Sequence, residues 1–187
     1  MDLVYLKVTQ ESSSLDDFFK TVVKLKTIQR QGWKDKLALK NPESVADHCY
    51  SVSLMALVVS EIKHLDTLKV VKMALIHDLA ETITGDITPE MFTKSKKQKL
   101  ENSAMKKILK QIPPSIRLDF SNLWDEYQQN STNESRLLHQ IDKLEMAVQA
   151  SAYHKKGVPK TILKPFLKSA ELDVKDPDLK KILSKFL

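Results

Sequence analysis

The apolar residues of this chain recur every three or four positions, which is the periodicity of α-helices that pack one face against a core. One such stripe runs through His48, Val52, Met55, Val59 and Ile62. We find no convincing alternation of apolar and polar residues between the turn signals, as half-buried strands would show. The pattern predicts an all-α chain in which His48 faces the core.

Capping and turn residues divide this pattern into successive predicted helices. The first begins near Ser14 and runs toward Arg30, where Gly32 loosens its end. The third begins at about Asp66 and continues past Asp78. A second helix starts at residues 41–44, and further helices are predicted over residues 95–111, 115–129, 131–155 and 176–186.

Length and composition predict one domain over residues 1–187, with its core at about residues 25–155 and a helical extension on either side. The 187 residues are 42% hydrophobic, enough for one sizeable core.

Cys49 is the only cysteine, which excludes an intramolecular disulfide and a cysteine-based zinc cluster, and fits a reducing compartment. Residues 1–10 lack the pattern of a secretory signal. We therefore expect a soluble, cytoplasmic protein.

The charge balance favours anionic ligands without choosing among them. The formal net charge is +6 and the pI is near 9.2, which suits a phosphate ester or a nucleic-acid backbone. The densest basic cluster has no interleaved aromatic residues, so a solvated helix start is favoured over a nucleic-acid footprint. That cluster is Lys94, Lys96, Lys97 and Lys99. The three glycines cannot form a P-loop or a dinucleotide-binding fingerprint, which excludes both classes.

The adjacent pair His77 and Asp78 closes an almost wholly apolar run at residues 70–76. Burying an imidazole and a carboxylate is costly unless a metal, a proton or a hydrogen bond satisfies them. His48 and Asp142 lie on two other apolar stripes and would complete a set of two imidazoles and two carboxylates, which suits a divalent first-row metal. Taken singly, a histidine placed like His48 is more often a hydrogen-bonded core residue, and Asp142 could cap a helix or pair with Lys143 or Arg136. The other histidines, His64, His139 and His154, lie near polar helix faces and are predicted to be at the surface.

Two more carboxylates follow the His-Asp pair. Glu81 comes one helical turn later on the same face, and Asp86 follows Gly85 into a predicted loop. Four protein ligands on a six-coordinate ion would leave positions for a water and a phosphoryl oxygen. The pattern therefore predicts hydrolysis of a phosphate ester, with an acidic group at hand for proton transfer.

The chain resembles the HD-domain metal-dependent phosphohydrolases, and within them the 5′-deoxynucleotidase branch, over roughly residues 25–153. The resemblance is carried by Asn-Pro-Glu-Ser-Val-Ala-Asp-His at residues 41–48, His-Asp-Leu-Ala-Glu at residues 77–81, Gly-Asp-Ile at residues 85–87 and the distant Asp142. It implies a helical bundle with a metal site at its centre, and a homodimer. It further implies the metal ligands His48, His77, Asp78 and Asp142, with Glu81 handling protons near the attacking water.

The same resemblance implies a set of substrate contacts. Arg30 matches an arginine that orients the phosphate, and Trp33 matches a tryptophan that lines the nucleoside pocket. A guanidinium independently suits bidentate binding of phosphate. Gln31 and Gly32 separate the two residues here, whereas the bacterial enzymes have them adjacent. The loop that touches substrate in those enzymes is matched by Asp86, Ile87 and Thr88.

These observations predict a metal-dependent 5′-nucleotidase that converts (deoxy)nucleoside monophosphates to nucleoside and phosphate. The expected cofactor is one divalent transition metal (Mn, Co, Fe, Ni or Zn), and two imidazole ligands disfavour Mg. An alternative is an HD-type phosphodiesterase or nucleoside-triphosphate hydrolase, although no second His-Asp set is present for a second ion. A non-catalytic binding module, in which the metal only joins helices, is the alternative of another class. No membrane or nucleic-acid partner is expected.

Overall fold

The computed structural model describes residues 15–37 and 39–187 of the chain. Within those ranges it contains helices and one isolated antiparallel bridge, between Gln29 and Ser44, with no extended strand, which confirms the all-α prediction. The predicted helix start at Ser14 and the segment 1–10 lie outside the described residues. The helices are α1 (15–24), α2 (Gln31–Leu37), α3 (Val45–Ile62), α4 (Thr67–Ile76), α5 (Glu81–Thr84), α6 (Lys94–Leu109), α7 (Pro114–Gln129), α8 (Asn133–Lys155), α9 (Lys160–Asp173) and α10 (Pro177–Leu183).

Helix α8 is central to the bundle and packs against α3, α4, α9 and α10. It begins with a capping box, in which the Thr132 hydroxyl accepts from the Ser135 backbone and the Ser135 hydroxyl accepts from the Thr132 backbone. Its buried face is apolar except at a few positions, of which Asp142 and Glu145 are acidic. Two carboxylates are thereby placed inside the bundle.

Helix α3 begins where residues 41–44 predict it. The Ser44 side chain accepts from the Asp47 backbone, and Asp47 in turn accepts from Ser44. His48, in the first turn of α3, is fully buried. By length and composition alone α3 could cross a membrane, and a core helix passes the same test.

Helix α4 ends earlier than predicted, so the expectation of one helix continuing past Asp78 is wrong. The α-helix stops at Ile76, and residues 77–80 form turns held by bonds between residues three apart, such as Leu79 to Ile76. The His77 ring bonds the Ala74 carbonyl, the acceptor that a continuing α-helix would offer to the Asp78 backbone. The short helix α5 then carries Glu81.

The amino-terminal prediction also needs correction, because the first helix does not extend toward Arg30. Helix α1 ends at residue 24, a 3₁₀ turn covers Leu25–Thr27, and the chain then runs extended beside the start of α3. Backbone bonds join Arg30 to Glu43 and Val45 to Ile28. Gly32 does not loosen a helix end but lies inside α2.

Helix α9 is not predicted by the sequence pattern. Pro165 lies inside it, and a proline without a backbone N–H usually ends a helix. The helix forms because Leu163, Phe166, Leu167 and Ala170 bury one face, against α8 above all. The remaining predicted helices agree with α6, α7, α8 and α10 to within a few residues at each end.

Candidate metal centre

The fold brings together the four side chains that the sequence singles out. Nitrogen and oxygen atoms of His48, His77 and Asp142 lie within 4.8 Å of one another. Asp78 Oδ2 lies 3.3 Å from His77 Nε2 and 3.7 Å from His48 Nε2, and Asp142 Oδ1 lies 3.2 Å from His48 Nε2. Residues from α3, α8 and the turn after α4 thus converge on one point.

Hydrogen bonds at the far side of each imidazole fix which nitrogen faces the others. His77 Nδ1 lies 2.7 Å from the Ala74 carbonyl, which can only accept, so Nδ1 carries the proton. His48 Nδ1 lies 2.6 Å from the carboxylate of Glu145, which has the same effect. In the neutral rings both Nε2 atoms then present lone pairs, and both are buried without a hydrogen-bond partner.

Lone pairs that face carboxylate oxygens need a positive charge between them. Burial alone would lower the pKa of His77, but Asp78 raises it well above its usual value. Burial would raise the pKa of Asp142, but Lys143 and His48 hold it well below its usual range. A divalent cation satisfies both nitrogens and both carboxylates without protonating either ring, so these residues fit a metal ion.

Arg30 lies beside this cluster. Its Nη1 atom is 3.5 Å from Asp78 Oδ2, and its Nε is 4.0 Å from Glu43 Oε1. Burial would lower the pKa of the guanidinium, but the carboxylates of Asp86 and Asp78 raise it above its ordinary value. The group therefore stays charged and can bind an anion that reaches the centre.

Glu81 is almost completely buried, and its Oε2 atom has no hydrogen-bond partner. Burial and the negative charges of Asp78 and Asp86 raise its pKa well above the usual range. Such a carboxyl group can hold a proton that an ordinary carboxyl in water would release, and can pass it on. Glu81 does not continue helix α4, which ends at Ile76, but it still lines the cavity, as Asp78 does.

The loop predicted to touch substrate also lines the cavity. Asp86 Oδ2 accepts from the backbone N–H of Gln31 at 2.7 Å, and the Ile87 carbonyl accepts from Lys97 Nζ at 2.9 Å. Ile87 and Thr88 are both largely buried. The loop is therefore tied to α2 on one side and to α6 on the other.

Trp33 is buried more deeply than a nucleoside-stacking residue would be. Only 2% of it is exposed, and its ring packs 4.0 Å from Phe166 and 5.4 Å from Tyr153, between ring centroids. Its indole N–H donates to Glu43 at 2.7 Å. The side chain lies at the wall of the cavity and packs among core aromatic residues.

The structure adds residues that the sequence analysis missed. Glu145 bonds His48, and its position three residues after Asp142 on the same buried face was a usable signal. Lys97 lines the cavity, although the sequence pattern of its cluster favours a solvated helix start. His139 lines it too, stacked on Tyr127 at 4.3 Å, so the prediction of a surface histidine is wrong there.

The cavity has a volume of about 790 Å³, within the range of small-molecule sites. Its lining carries equal numbers of basic and acidic side chains. A divalent cation would therefore make the lining net positive, as an anionic substrate requires.

The chain is similar to proteins of known family. The sequence profile of the HD domain matches residues 22–179. The 5′-deoxynucleotidase HDDC2 of Dictyostelium discoideum is 39% identical over 147 residues, covering 74% of this chain and 77% of the relative. The protein of the same name from Homo sapiens is 39% identical over 149 residues, covering 77% of this chain and 72% of the relative.

A solved structure shares the fold. The crystal structure of the PH0347 protein from Pyrococcus horikoshii OT3 superimposes with a TM-score of 0.77 and is 32% identical, covering 91% of this chain and 96% of that one. The profile match spans most of the sequence, and five residues of the matching motifs line one cavity, namely His77, Asp78, Glu81, Asp86 and Asp142. This chain belongs to the HD domain family.

Proposed function

We propose that this chain is a metal-dependent 5′-nucleotidase that hydrolyses nucleoside monophosphates, in particular deoxyribonucleoside monophosphates, to nucleoside and phosphate. One observation carries the proposal: His48, His77, Asp78 and Asp142 converge with unpartnered imidazole nitrogens, and all but the fully buried His48 line a cavity that Arg30 and Glu81 line as well. The relatives named 5′-deoxynucleotidase support the choice of substrate class.

The four converging residues would hold one divalent ion, and manganese, cobalt, iron, nickel or zinc suits two imidazoles better than magnesium does. When bound, the ion supplies Lewis-acid polarisation of a phosphoryl oxygen and lowers the pKa of water. His48 and His77 are held for this task by the bonds from Nδ1 to Glu145 and Ala74.

Other residues bind the phosphate and transfer protons. Arg30 orients the phosphate through its guanidinium and offsets the charge that develops on the phosphoryl oxygens. Water forms a bond to phosphorus while the bond to the 5′-oxygen breaks, so one proton leaves the water and one reaches the nucleoside. Glu81, with Asp86 nearby, carries these protons, because a buried carboxyl with a raised pKa can both accept and donate.

The nucleoside lies against Asp86, Ile87 and Thr88 in this proposal. Their loop is fixed at both ends and lines the same cavity as Arg30. The burial of Trp33 favours a role as the wall that supports this region over a role as a stacking partner.

The decisive experiment is release of inorganic phosphate from a panel of ribo- and deoxyribonucleoside monophosphates, with chelator and with each candidate metal. We expect release that requires metal, and a loss of about 100-fold or more in kcat for Glu81→Gln, the range for a general acid or base. The exposed Glu171 provides the matched control, and Glu171→Gln should retain wild-type activity.

A cyclic dinucleotide and a nucleoside triphosphate complete the panel. Turnover of either one, with none of the monophosphates, would replace the proposal with the phosphodiesterase or triphosphatase alternative. Absence of any hydrolysis, together with nucleic-acid binding that weakens steeply with salt, would favour a non-catalytic module.

We further propose that the protein is a cytoplasmic homodimer that does not bind nucleic acid. The dimer is supported by large apolar side chains exposed along α3, namely Tyr50, Leu54, Val58 and Ile62. A reducing location is supported by the lone, buried Cys49. Sedimentation of the purified chain at several concentrations tests the dimer, and a monomer throughout would contradict it.

A further inference from the structure

Lys97 differs from the other lysines of its cluster in where its side chain lies. Lys94, Lys96 and Lys99 are exposed, whereas Lys97 is half-buried; both Lys94 and Lys97 line the cavity. Its spacing from Glu101, Ala104 and Ile108 places it on the buried stripe of α6. The lysine therefore faces the site, although it stands in a stretch that is otherwise solvated.

The ammonium group of Lys97 touches three parts of the site. Its Nζ donates to the Ile87 carbonyl at 2.9 Å, and lies 3.4 Å from Glu101 Oε1 and 3.9 Å from Glu81 Oε1. The contact with Ile87 is a hydrogen bond, and the contacts with Glu101 and Glu81 are ion pairs at longer distance. Lys97 thereby joins helix α6, the loop 86–88 and helix α5.

Glu81 needs such a partner. Its side chain is 2% exposed, and its second oxygen has no hydrogen bond. A buried carboxyl with a free oxygen keeps a defined orientation only if the other oxygen is held. The Lys97 ammonium forms an ion pair with that other oxygen from a neighbouring helix, and it also donates a hydrogen bond to the loop on which Asp86 stands.

We propose that Lys97 is a positioning residue for the hydrolysis proposed above, on which this inference rests: it holds the Glu81 carboxyl and the loop 86–88 in one fixed arrangement. It acts through Glu81 and the loop rather than by contact with the phosphate. Glu81 transfers protons during the bond-breaking step, so loss of Lys97 affects turnover more than substrate binding.

The test compares Lys97→Met, which has similar length and no charge, with Lys97→Arg, which keeps the charge. Steady-state phosphate release is measured on deoxyadenosine 5′-monophosphate with saturating manganese. For Lys97→Met we expect kcat to fall about tenfold or more while KM changes by less than about threefold. Lys97→Arg should recover kcat to within about threefold of wild type, because it restores the cation.

Controls separate this role from a structural one. Lys99→Met removes an exposed lysine of the same helix and should leave kcat and KM unchanged. The manganese concentration for half-maximal activity should be the same in Lys97→Met as in wild type, because Lys97 is not a ligand. Lys97→Gln, with the thermal midpoint of every variant, provides a second uncharged variant should the Met variant not fold.

Three results would overturn the inference. They are a wild-type kcat in the uncharged variants, a loss carried by KM alone, and failure of the Arg variant to recover turnover. If the wild-type chain releases no phosphate, the proposed function fails. If wild type is active and the uncharged variants are equally active, only the role of Lys97 fails.

Discussion

His48 illustrates how much of this site is determined by a single hydrogen bond. Its Nδ1 atom lies 2.6 Å from Glu145, one turn along α8 from Asp142, and so its Nε2 atom faces the other donors. Partners of this kind set the tautomer and ring orientation of metal-binding histidines. Glu145 is thus a residue through which the proposed metal affinity can be tuned.

We expect Glu145→Ala to weaken manganese binding by about 10- to 100-fold, the range for loss of such a partner. Glu145→Gln should retain most of the affinity, because its amide oxygen can still accept from His48. Calorimetric titration with manganese measures both, and Glu171→Ala is the control at an exposed glutamate. Unchanged affinity in the Ala variant would show that the bond does not orient the ring.

Glu43 makes stability depend on pH. Burial, with the nearby carboxylate of Glu145, raises the pKa of Glu43 to about 7 from 4.5. Between these two values the folded protein keeps a proton that the unfolded chain has released, so the contribution of Glu43 to stability falls as the pH rises.

We compare the free energy of unfolding of Glu43→Gln with that of wild type. The variant's value relative to wild type should rise by on the order of 1 to 3 kcal/mol when the pH is raised from about 5 to about 8. Its amide oxygen can still accept from the Trp33 indole, so that bond need not be lost. Denaturant unfolding at the two pH values, with Glu171→Gln alongside, measures the change. A difference between variant and wild type that is the same at both values would refute this assignment.

At the scale of elements, the segment between α4 and α6 carries the chemistry. The α-helix ends at Ile76, tight turns carry His77 and Asp78, and Gly85 then reverses the chain at φ 72° and ψ 168°. That conformation is nearly confined to glycine. The position of Asp86 therefore depends on the backbone conformation of Gly85. A Cβ atom added at Gly85 would have no neighbour within 4 Å, so the requirement for glycine comes from the backbone and not from lack of space.

Gly85→Ala should destabilise the fold by about 1 to 3 kcal/mol through backbone strain alone. Gly157, at φ 98° and remote from the cavity, is the matched control, and Gly157→Ala should carry a similar strain. Phosphate release should fall about tenfold only in Gly85→Ala, because small displacements near reacting groups are costly. Equal activity in the two variants would show that the turn does not place Asp86.

The helices that the sequence predicts well are those whose own residues determine them. The capping box at Ser44 and the long buried stripe of α8 are local signals, and both helices lie where predicted. Helix α9 contains Pro165 and is stabilised by packing on α8, which no local pattern reveals. The end of α4 likewise depends on the bond from the His77 ring to Ala74, a competition that periodicity does not show.

In the candidate site, too, some features follow from the local sequence and others depend on packing. The convergence of His48, His77, Asp78 and Asp142 is predicted by the sequence, because buried ionisable groups need partners and the resemblance to the family implies that these four bind one metal. The role of Lys97 was missed because its neighbours in sequence are exposed, and only the packing of α6 turns it inward.

At the scale of the molecule, the metal centre should join elements that are distant in sequence. Its donors come from α3, α8 and the turn after α4, so bound metal favours the folded chain over the unfolded one.

At a free manganese concentration 100 times Kd, we expect about 2.7 kcal/mol of added stability. Thermal unfolding with chelator and with manganese measures it, and His77→Ala should abolish the gain while the exposed His154→Ala keeps it. An equal gain in both variants would locate the bound ion elsewhere.

The bridge between Gln29 and Ser44 has a consequence for how this protein tolerates changes in length. It joins the extended residues 28–30, before α2, to residues 43–45 at the start of α3. Arg30 and His48 are thereby held in their relative position by bonds that do not involve the residues between them. Gln31 within this segment holds Asp86, so residues inserted after Gln31 alter the wall of the cavity without displacing the arginine. Diversification of the pocket, in evolution or by engineering, can proceed in this connection while the reacting centre stays intact.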